Sequence, residues 1–142
     1  MVKNKIKKVL VPIDGSKSSF KGLEMAIYMA RQCGATITGM YVIPIYPRSF
    51  AGLLAPLRVR MFKEAKDVMT RAELISARKG IVFRKRIVYG DPKSGITASL
   101  QEGNFDLVVI GARGLGWVGG MFLGSVSNSV LHRAKIPVLV VR

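Results

Sequence analysis

The feature that most constrains this chain is residues 105–129, where an apolar run passes into a glycine-rich loop and then into a helical pattern. Residues 107–110 have the length and composition of a strand buried on both faces. The loop begins at Gly111 and ends at residues 124–125, and three apolar residues then recur at helical spacing: Val126, Val130 and Leu131. Glycines let a backbone approach a ligand, and the unpaired N–H groups of a helix N-terminus attract negative charge. The stretch therefore predicts an anion site with a phosphate ester as its ligand.

Two common glycine motifs do not explain this loop. Residues 114–119 spell GxGxxG, but the dinucleotide-binding fold places that motif after its first strand and an acidic residue about 20 positions later. Here the motif comes late in the chain, and no Asp or Glu follows Asp106. The sequence also contains no GxxxxGKS or GxxxxGKT, which excludes a P-loop.

Strand and helix patterns alternate along the whole chain. The predicted strands are residues 8–13, 35–43, 81–89, 107–110 and 138–141, with a helix after each of the first four. Ser16 or Ser18 is a candidate cap of the first helix and Gly34 its end, while Asp91 and Pro92 begin the third helix. The second helix carries a predicted inward stripe of Leu57, Met61, Ala65, Val68, Ala72 and Ile75. Such alternation predicts an α/β, doubly wound, mainly parallel five-stranded sheet with helices on both faces.

Three further features concern the edges of this sheet and its connections. In the third strand, Arg84 and Arg86 alternate with Phe83, Lys85 and Ile87, which indicates an exposed position such as an edge. Residues 44–56 form a long connection with three prolines, interpreted either as a mobile flap or contact surface, or as an ordinary surface loop. The apolar loop residues 115–123 are expected either to cover the ligand or to dock against a second subunit.

Length and composition indicate one globular domain over residues 1–142, because 49% of the residues are hydrophobic. The single Cys33 fits a reducing compartment and is interpreted as a packing residue. The start of the chain is basic, but the apolar run that follows is too short for a signal peptide, and no run reaches the roughly 20 residues of a membrane span. We therefore expect a cytoplasmic protein without a membrane partner.

The net charge is unusual, with 23 Lys and Arg against eight Asp and Glu, giving +15. That excess raises nucleic acid, an anionic membrane or an anionic small molecule as partners. Because the basic residues are spread along the sequence, a solvated basic surface is the preferred interpretation, and nucleic acid is a partner that we do not favour.

Four segments together resemble the universal stress protein family in its ATP-binding branch. They are the opening VLVPIDGS, the pair Tyr41-Val42, the pattern Gly111-x2-Gly114-x9-Gly124-Ser125, and the closing PVLVV of residues 137–141. The resemblance covers nearly the whole chain and implies strand order 3-2-1-4-5. Ligands in such sheets bind beyond the carboxyl ends of the strands where the order reverses. The reversal would lie between the strands that end near Asp14 and Gly111.

The resemblance also implies which residues bind the nucleotide. Asp14 would accept hydrogen bonds from the ribose hydroxyls, and the alternative is a helix-start aspartate stabilised by the helix dipole. Val42 would contact adenine through its backbone. For Ser125, a phosphate contact and a simple N-cap are both open and compatible. The full predicted cofactor site is Pro12, Ile13, Asp14, Val42, Gly111, Arg113, Gly114, Gly124, Ser125, Val126 and Ser127.

The function expected from this resemblance is an adenine nucleotide-dependent switch in stress response or signalling. ATP, or another adenine nucleotide, would bind with Mg²⁺ or Mn²⁺ held mainly by the phosphates, and no protein metal ligand or catalytic residue is predicted. The alternatives are a low-turnover ATPase or an autophosphorylating protein on the same fold, and a nucleic-acid-associated basic protein. The family also implies a homodimer through the last strand, Val138–Val141, whose apolar edge is suited to pairing with a second copy.

Overall fold

The computed structural model describes residues 5–45, 55–115 and 122–142. Most of the connection at residues 44–56 and of the loop at residues 115–123 therefore lies outside the described residues. Strands and helices alternate in chain order: β1 Lys8–Pro12, α1 Lys17–Cys33, β2 Thr36–Ile43, α2 Ala55–Arg78, β3 Phe83–Tyr89, α3 Pro92–Glu102, β4 Leu107–Gly111, α4 Ser125–Arg133 and β5 Val138–Val141.

The five strands form one parallel sheet in the order β3-β2-β1-β4-β5. Helices α1 and α2 cover one face and α3 and α4 cover the other, so the doubly wound α/β fold is confirmed. The central strand β1 is apolar on both sides because it is sandwiched: Val9 and Val11 pack under α1 and α2, whereas Leu10 faces the opposite core. No helix in the described ranges is both long and apolar enough to cross a membrane.

The predicted ends of the helices are largely confirmed. Ser16 caps α1 by accepting a hydrogen bond from the Ser19 N–H at 3.1 Å. Gly34 ends this helix in the left-handed region, at a φ of 65° that favours glycine. Asp91 is the N-cap of α3 and Pro92 is the first residue of the helix. The Asp91 Oδ2 atom accepts a hydrogen bond from the Ser94 N–H at 3.0 Å. Local sequence therefore determines where these two helices begin.

Helix α2 differs from its predicted inward stripe. Its fully buried residues are Ala65, Met69, Ala72 and Ser76. Leu57 was assigned to the stripe but is 37% exposed, so that assignment is wrong. The helical spacing of apolar residues continues to the start of α2. Burial, however, requires another element to pack against them, and residues 55–60 are all exposed.

The Asp91 cap gives a pH-dependent prediction. Hydrogen bonds from Ser94 hold the pKa of the Asp91 carboxyl below its ordinary value of 3.8. Because the folded-state pKa is depressed, the stabilisation is full above about pH 4 and is lost as the pH falls through the folded-state value. We expect Asp91→Ala to lower the free energy of unfolding by about 1 kcal/mol at pH 7 and by less at pH 3, as measured by urea unfolding.

The matched control is Asp91→Asn, which keeps a capping oxygen but does not titrate. Its free energy of unfolding should stay near that of the wild type at pH 7. A loss for Asp91→Ala that is the same at pH 7 and pH 3 would show that the carboxylate charge contributes nothing.

Candidate functional site

The order of the strands reverses between β1 and β4, and a cavity of about 330 Å³ opens at the carboxyl ends of these strands. That volume is within the usual range for a small-molecule site, roughly 300–1,000 Å³. The structure brings all the predicted site residues to this one cavity: Pro12, Ile13, Asp14, Val42, Gly111, Arg113, Gly114, Gly124, Ser125, Val126 and Ser127.

Several residues that line the cavity were not predicted from the sequence. They are Ser19, Met40, Tyr41, Pro44, Pro92, Ile96 and Ile110, while Leu115 belongs to the apolar loop that was expected either to cover the ligand or to dock against a second subunit. Pro92 and Ile96 come from α3, for which the sequence predicted only a start at Asp91 and Pro92. The predicted topology could have identified them. Helix α3 follows β3 in the chain, so it begins at the carboxyl end of the parallel sheet, where the crevice also lies.

Asp14 lies just beyond β1 and is half-buried. Its Oδ1 accepts from the Ser16 N–H at 2.9 Å, and its Oδ2 accepts from the Leu115 N–H at 2.9 Å. The first bond belongs to the turn that enters α1, and the second reaches 101 positions along the chain to the glycine loop. Asp14 is therefore more than a helix-start aspartate, since it joins the end of β1 to that loop.

Two glycines of the loop lie in close contact with neighbouring residues. A Cβ at Gly114 would lie 2.8 Å from Asp14 Oδ2, so the Asp14 carboxylate would have to shift to make room. A Cβ at Gly111 would meet the Ser18 carbonyl group of α1, at 2.6 Å from its carbon. By contrast, a Cβ at Gly124 would meet only ordinary contacts, the nearest at 3.4 Å. Glycine is thus a steric requirement at Gly111, where the contact is with backbone atoms, whereas a side chain at Gly114 would displace the Asp14 carboxylate and one at Gly124 would displace nothing.

The start of the loop is held from three sides. The Arg113 N–H donates to Ser18 Oγ at 3.1 Å, and the Ala112 N–H donates to the carbonyl of Val141 in β5 at 2.8 Å. The buried Ser127 hydroxyl lies 2.9 Å from the carbonyl oxygen of Ala112 and 3.0 Å from that of Gly124, which are its acceptors. These bonds are made within the protein and hold the loop backbone in place, which reduces the ordering cost of binding.

The N-terminus of α4 opens onto the cavity. Gly124 is its N-cap residue, and no side chain in the described part of the protein caps the helix. The alternative that Ser125 is the N-cap is therefore wrong, because Ser125 is the first helical residue and is exposed. The backbone N–H groups of the first turn have no partner within the helix, and the helix dipole adds partial positive charge there. Together these groups form a site suited to an anion.

Val42 presents its backbone to the cavity. In a parallel ladder, alternate residues direct both backbone groups to the same neighbour. The Ile13 N–H donates to the Met40 carbonyl at 2.8 Å, and the Gly90 N–H donates to the Ile43 carbonyl at 2.9 Å, so even-numbered residues of β2 face β1. The register with β1 ends at Met40. The N–H and C=O groups of Val42 are therefore directed past the end of β1, into the crevice.

Charge around the cavity is mixed. Burial raises the pKa of the Tyr41 phenol above its ordinary value of 10.0, and the negative charges of Asp14 and Glu64 raise it further. Tyr41 thus remains a neutral hydrogen-bond donor at neutral pH. Arg113 is exposed at the rim and brings positive charge. In residues 5–45, 55–115 and 122–142, no three His, Cys, Asp or Glu side chains come together as a metal-holding group.

Comparison with known proteins identifies the family of this chain. The family model described as "Universal stress protein family" matches residues 5–142. Universal stress protein YxiE of Bacillus subtilis is 30% identical over 145 aligned positions, covering 95% of this chain and 98% of that protein. The structure of UspA from Lactobacillus plantarum has a TM-score of 0.89 at 26% identity and covers 99% of this chain and 100% of that one. A universal stress protein solved in complex with cAMP has a TM-score of 0.77 at 25% identity, covering 98% and 99%. The chain belongs to the universal stress protein family.

Proposed function

We propose that this protein binds an adenine nucleotide, ATP in particular, in the crevice between β1 and β4. One observation carries the proposal: the uncapped N-terminus of α4 opens onto the same cavity as the Asp14 carboxylate and the Val42 backbone. A nucleotide needs an anion site for its phosphates, an acceptor for its ribose hydroxyls, and a donor and an acceptor for the edge of its base. The crevice offers all three.

The phosphates would bind at the first turn of α4. The N–H groups of Ser125, Val126 and Ser127 are suited to phosphate oxygens, and the exposed Ser125 hydroxyl adds a donor. Gly111 and Gly114 let the loop pass close to the ligand, and Arg113 at the rim offsets part of the phosphate charge. Mg²⁺ or Mn²⁺ would be held mainly by the phosphate oxygens.

The ribose and the base would lie toward β1 and β2. A carboxylate oxygen of Asp14 can accept from a ribose hydroxyl while it retains its bond to the Leu115 N–H, because each oxygen has two lone pairs. Adenine would lie against Pro12, Ile13, Pro92 and Ile96, and the Val42 backbone would bond its edge. The neighbour solved with cAMP supports an adenine nucleotide as the ligand, since cAMP is one.

The test is calorimetric titration of nucleotide-free protein with Mg²⁺-ATP and, in parallel, Mg²⁺-GTP. Adenine presents an acceptor and a donor to the Val42 backbone, and guanine presents them in reversed order. We therefore expect ATP to bind about 10- to 100-fold more tightly than GTP, because a reversed edge leaves polar groups unpaired. Equal affinities would refute base recognition by Val42, and no binding of either nucleotide would refute the proposal.

We further propose that binding acts as a switch in stress response or signalling in the cytoplasm, with slow turnover or none. Hydrolysis needs a group that positions water against the γ-phosphate. Among the described residues that line the cavity, Asp14 has the one carboxylate. It accepts hydrogen bonds from the Ser16 and Leu115 N–H groups and would also bind the ribose, so it would not position a water molecule. Phosphate release from Mg²⁺-ATP should therefore be far slower than the roughly 10 s⁻¹ of a typical enzyme.

We also propose a homodimer through β5. This edge strand is half-buried along its whole length, and no strand of the described residues pairs with its outer side. The carbonyls of Pro137 and Val141 accept from β4, so odd-numbered residues face inward and Val140 directs its backbone groups outward. An apolar edge with free N–H groups is a template for pairing with a second copy.

Substituting Val140 tests this dimer without removing a bond to β4. Val140→Pro deletes one outward N–H, and we expect it to convert a dimer into a folded monomer in light scattering at micromolar concentration. Val140→Lys should do the same through charge, with circular dichroism unchanged. A wild-type monomer, or two variants that remain dimeric, would contradict the proposal.

A further inference from the structure

The end of the sheet opposite the crevice has a distinct charge pattern. All five strands begin there, since they are parallel, and the helices that precede them end there. Hydrogen bonds across this edge join the Thr36 N–H to the Lys7 carbonyl at 2.9 Å and the Ile37 N–H to the Val82 carbonyl at 3.0 Å. Five segments meet at this edge, which we term the amino-end face: residues 5–8, 31–36, 78–82, 102–106 and 133–137.

The amino-end face gathers basic residues that are scattered in the sequence. All eight are exposed: Lys5, Lys7, Lys8, Arg31, Arg78, Lys79, Arg133 and Lys135. Folding therefore collects more than a third of the 23 basic residues of the chain at one end of the molecule. The basic residues are spread evenly along the sequence, which favoured the interpretation of a diffuse solvated surface. In the folded chain, however, these eight lie together at one end.

Acidic residues of these segments offset little of this charge, although the charge of Arg133 also lowers the pKa of the Asp91 carboxyl at the start of α3. The five segments contain Glu102 and Asp106. Asp106 is only 9% exposed, and its Oδ2 accepts from the N–H groups of Lys7 and Lys8 at 2.9 and 3.0 Å. Its carboxylate is thus committed to the backbone beneath the surface. Glu102 is the one exposed acid of these segments.

Stabilisation of helix ends accounts for part of the cluster only. Arg31, Arg78 and Arg133 lie in last turns, where the helix dipole favours a positive charge. The five lysines of the face lie outside the helices, in the strand entries and connections. Their repulsion is an energetic cost that a partner of opposite charge would remove.

We propose that the amino-end face binds the phosphate backbone of duplex nucleic acid, independent of base sequence. The five segments expose one large apolar side chain, Val82 at 58%, whereas attachment to a membrane surface uses several inserted apolar residues. They also expose no aromatic ring on which unpaired bases could stack, which disfavours single strands. Five strands span about 19 Å, a length of duplex that carries about 11 phosphate charges.

The experiment measures fluorescence anisotropy of a labelled DNA duplex of about 20 base pairs at about 50 and 200 mM salt. Contact with about five phosphates predicts a slope of log K against log salt of about −4.5, which corresponds to about 500-fold weaker binding at the higher salt. The triple variant Lys7→Glu, Lys79→Glu, Lys135→Glu should reduce that slope by about three units. Two unrelated duplex sequences should bind with the same affinity.

The matched control is Lys21→Glu, Lys63→Glu, Lys66→Glu, which changes the net charge equally at exposed positions within α1 and α2. It should retain the wild-type salt slope. Equal weakening by both triples would refute a localised site, as would the absence of duplex binding at low salt. Binding to phosphatidylserine vesicles without duplex binding would also overturn the proposal. Asp14→Ala should leave duplex binding unchanged, so this inference and the nucleotide site can fail separately.

Discussion

Asp14→Ala is expected to weaken the binding of Mg²⁺-ATP by about 100-fold, measured by calorimetry on nucleotide-free protein. The substitution removes a charged acceptor for the ribose, and a hydrogen bond to a charged group contributes about 1.5–3 kcal/mol. It also removes the bond from the Leu115 N–H, at 2.9 Å, that positions the glycine loop. Both losses act on affinity, which makes this the largest expected effect at the site.

Two variants separate these contributions. Asp14→Asn keeps one acceptor oxygen without the charge and should have an affinity between those of the wild type and Asp14→Ala. Asp67→Ala removes an exposed carboxylate on α2, away from the residues that line the cavity, and should bind like the wild type. Wild-type affinity in a folded Asp14→Ala would exclude the ribose role.

Gly111→Ala should lower the free energy of unfolding by about 3 kcal/mol in urea titration. The added Cβ would lie against the Ser18 carbonyl, at 2.6 Å from its carbon, and main-chain atoms of a packed helix cannot rotate away as a side chain can. Helix α1 is already close here, since a Cβ at Gly22 would lie 3.1 Å from the Gly111 nitrogen. The helix would have to move off β4, which would also displace Ser18 from the Arg113 N–H.

The control is Gly124→Ala in the same loop. Its Cβ would make only ordinary contacts, and its φ of −66° suits any residue. We expect a loss of at most about 1 kcal/mol, which is the order of the difference between glycine and alanine as N-cap residues. Similar losses in the two variants would show that the contact with α1 does not constrain Gly111.

The elements of this fold could be predicted because its strong signals are local. Residues 107–110 are apolar without interruption, as a doubly covered strand requires, and β4 is buried throughout. The exposed, basic β3 was predicted as an edge from its alternation, and it is an edge. Asp91-Pro92 encodes a helix start through side-chain and backbone chemistry of a few residues.

The predictions failed where contacts between distant parts of the chain determine burial, capping or the position of a charge. Leu57 continues the apolar period of α2, but no described element packs over it sufficiently to bury it. Ser125 has a capping side chain, yet Gly124 takes the N-cap position because its N–H donates to the Ala112 carbonyl at 2.7 Å. The lysines of the amino-end face are another case, since only the parallel arrangement of strands brings them together.

The candidate site shows the same division. Its glycine and aspartate positions were found through spacing and resemblance, and they line one cavity. The bond from Leu115 to Asp14 spans 101 positions, and no pattern in the sequence encodes it. Tyr41, Pro92 and Ile96 were missed because each reaches the cavity through the packing of its element.

The most direct test of the central claim is a two-dimensional amide NMR titration of nucleotide-free protein with Mg²⁺-ATP. We expect the largest shifts at Val42, at the loop residues from Gly111 to Leu115, and at the first turn of α4, with little change on the amino-end face. Such a pattern would locate the nucleotide between β1 and β4. Shifts confined to the amino-end face would show that ATP binds there as a simple anion, and that result would contradict the account.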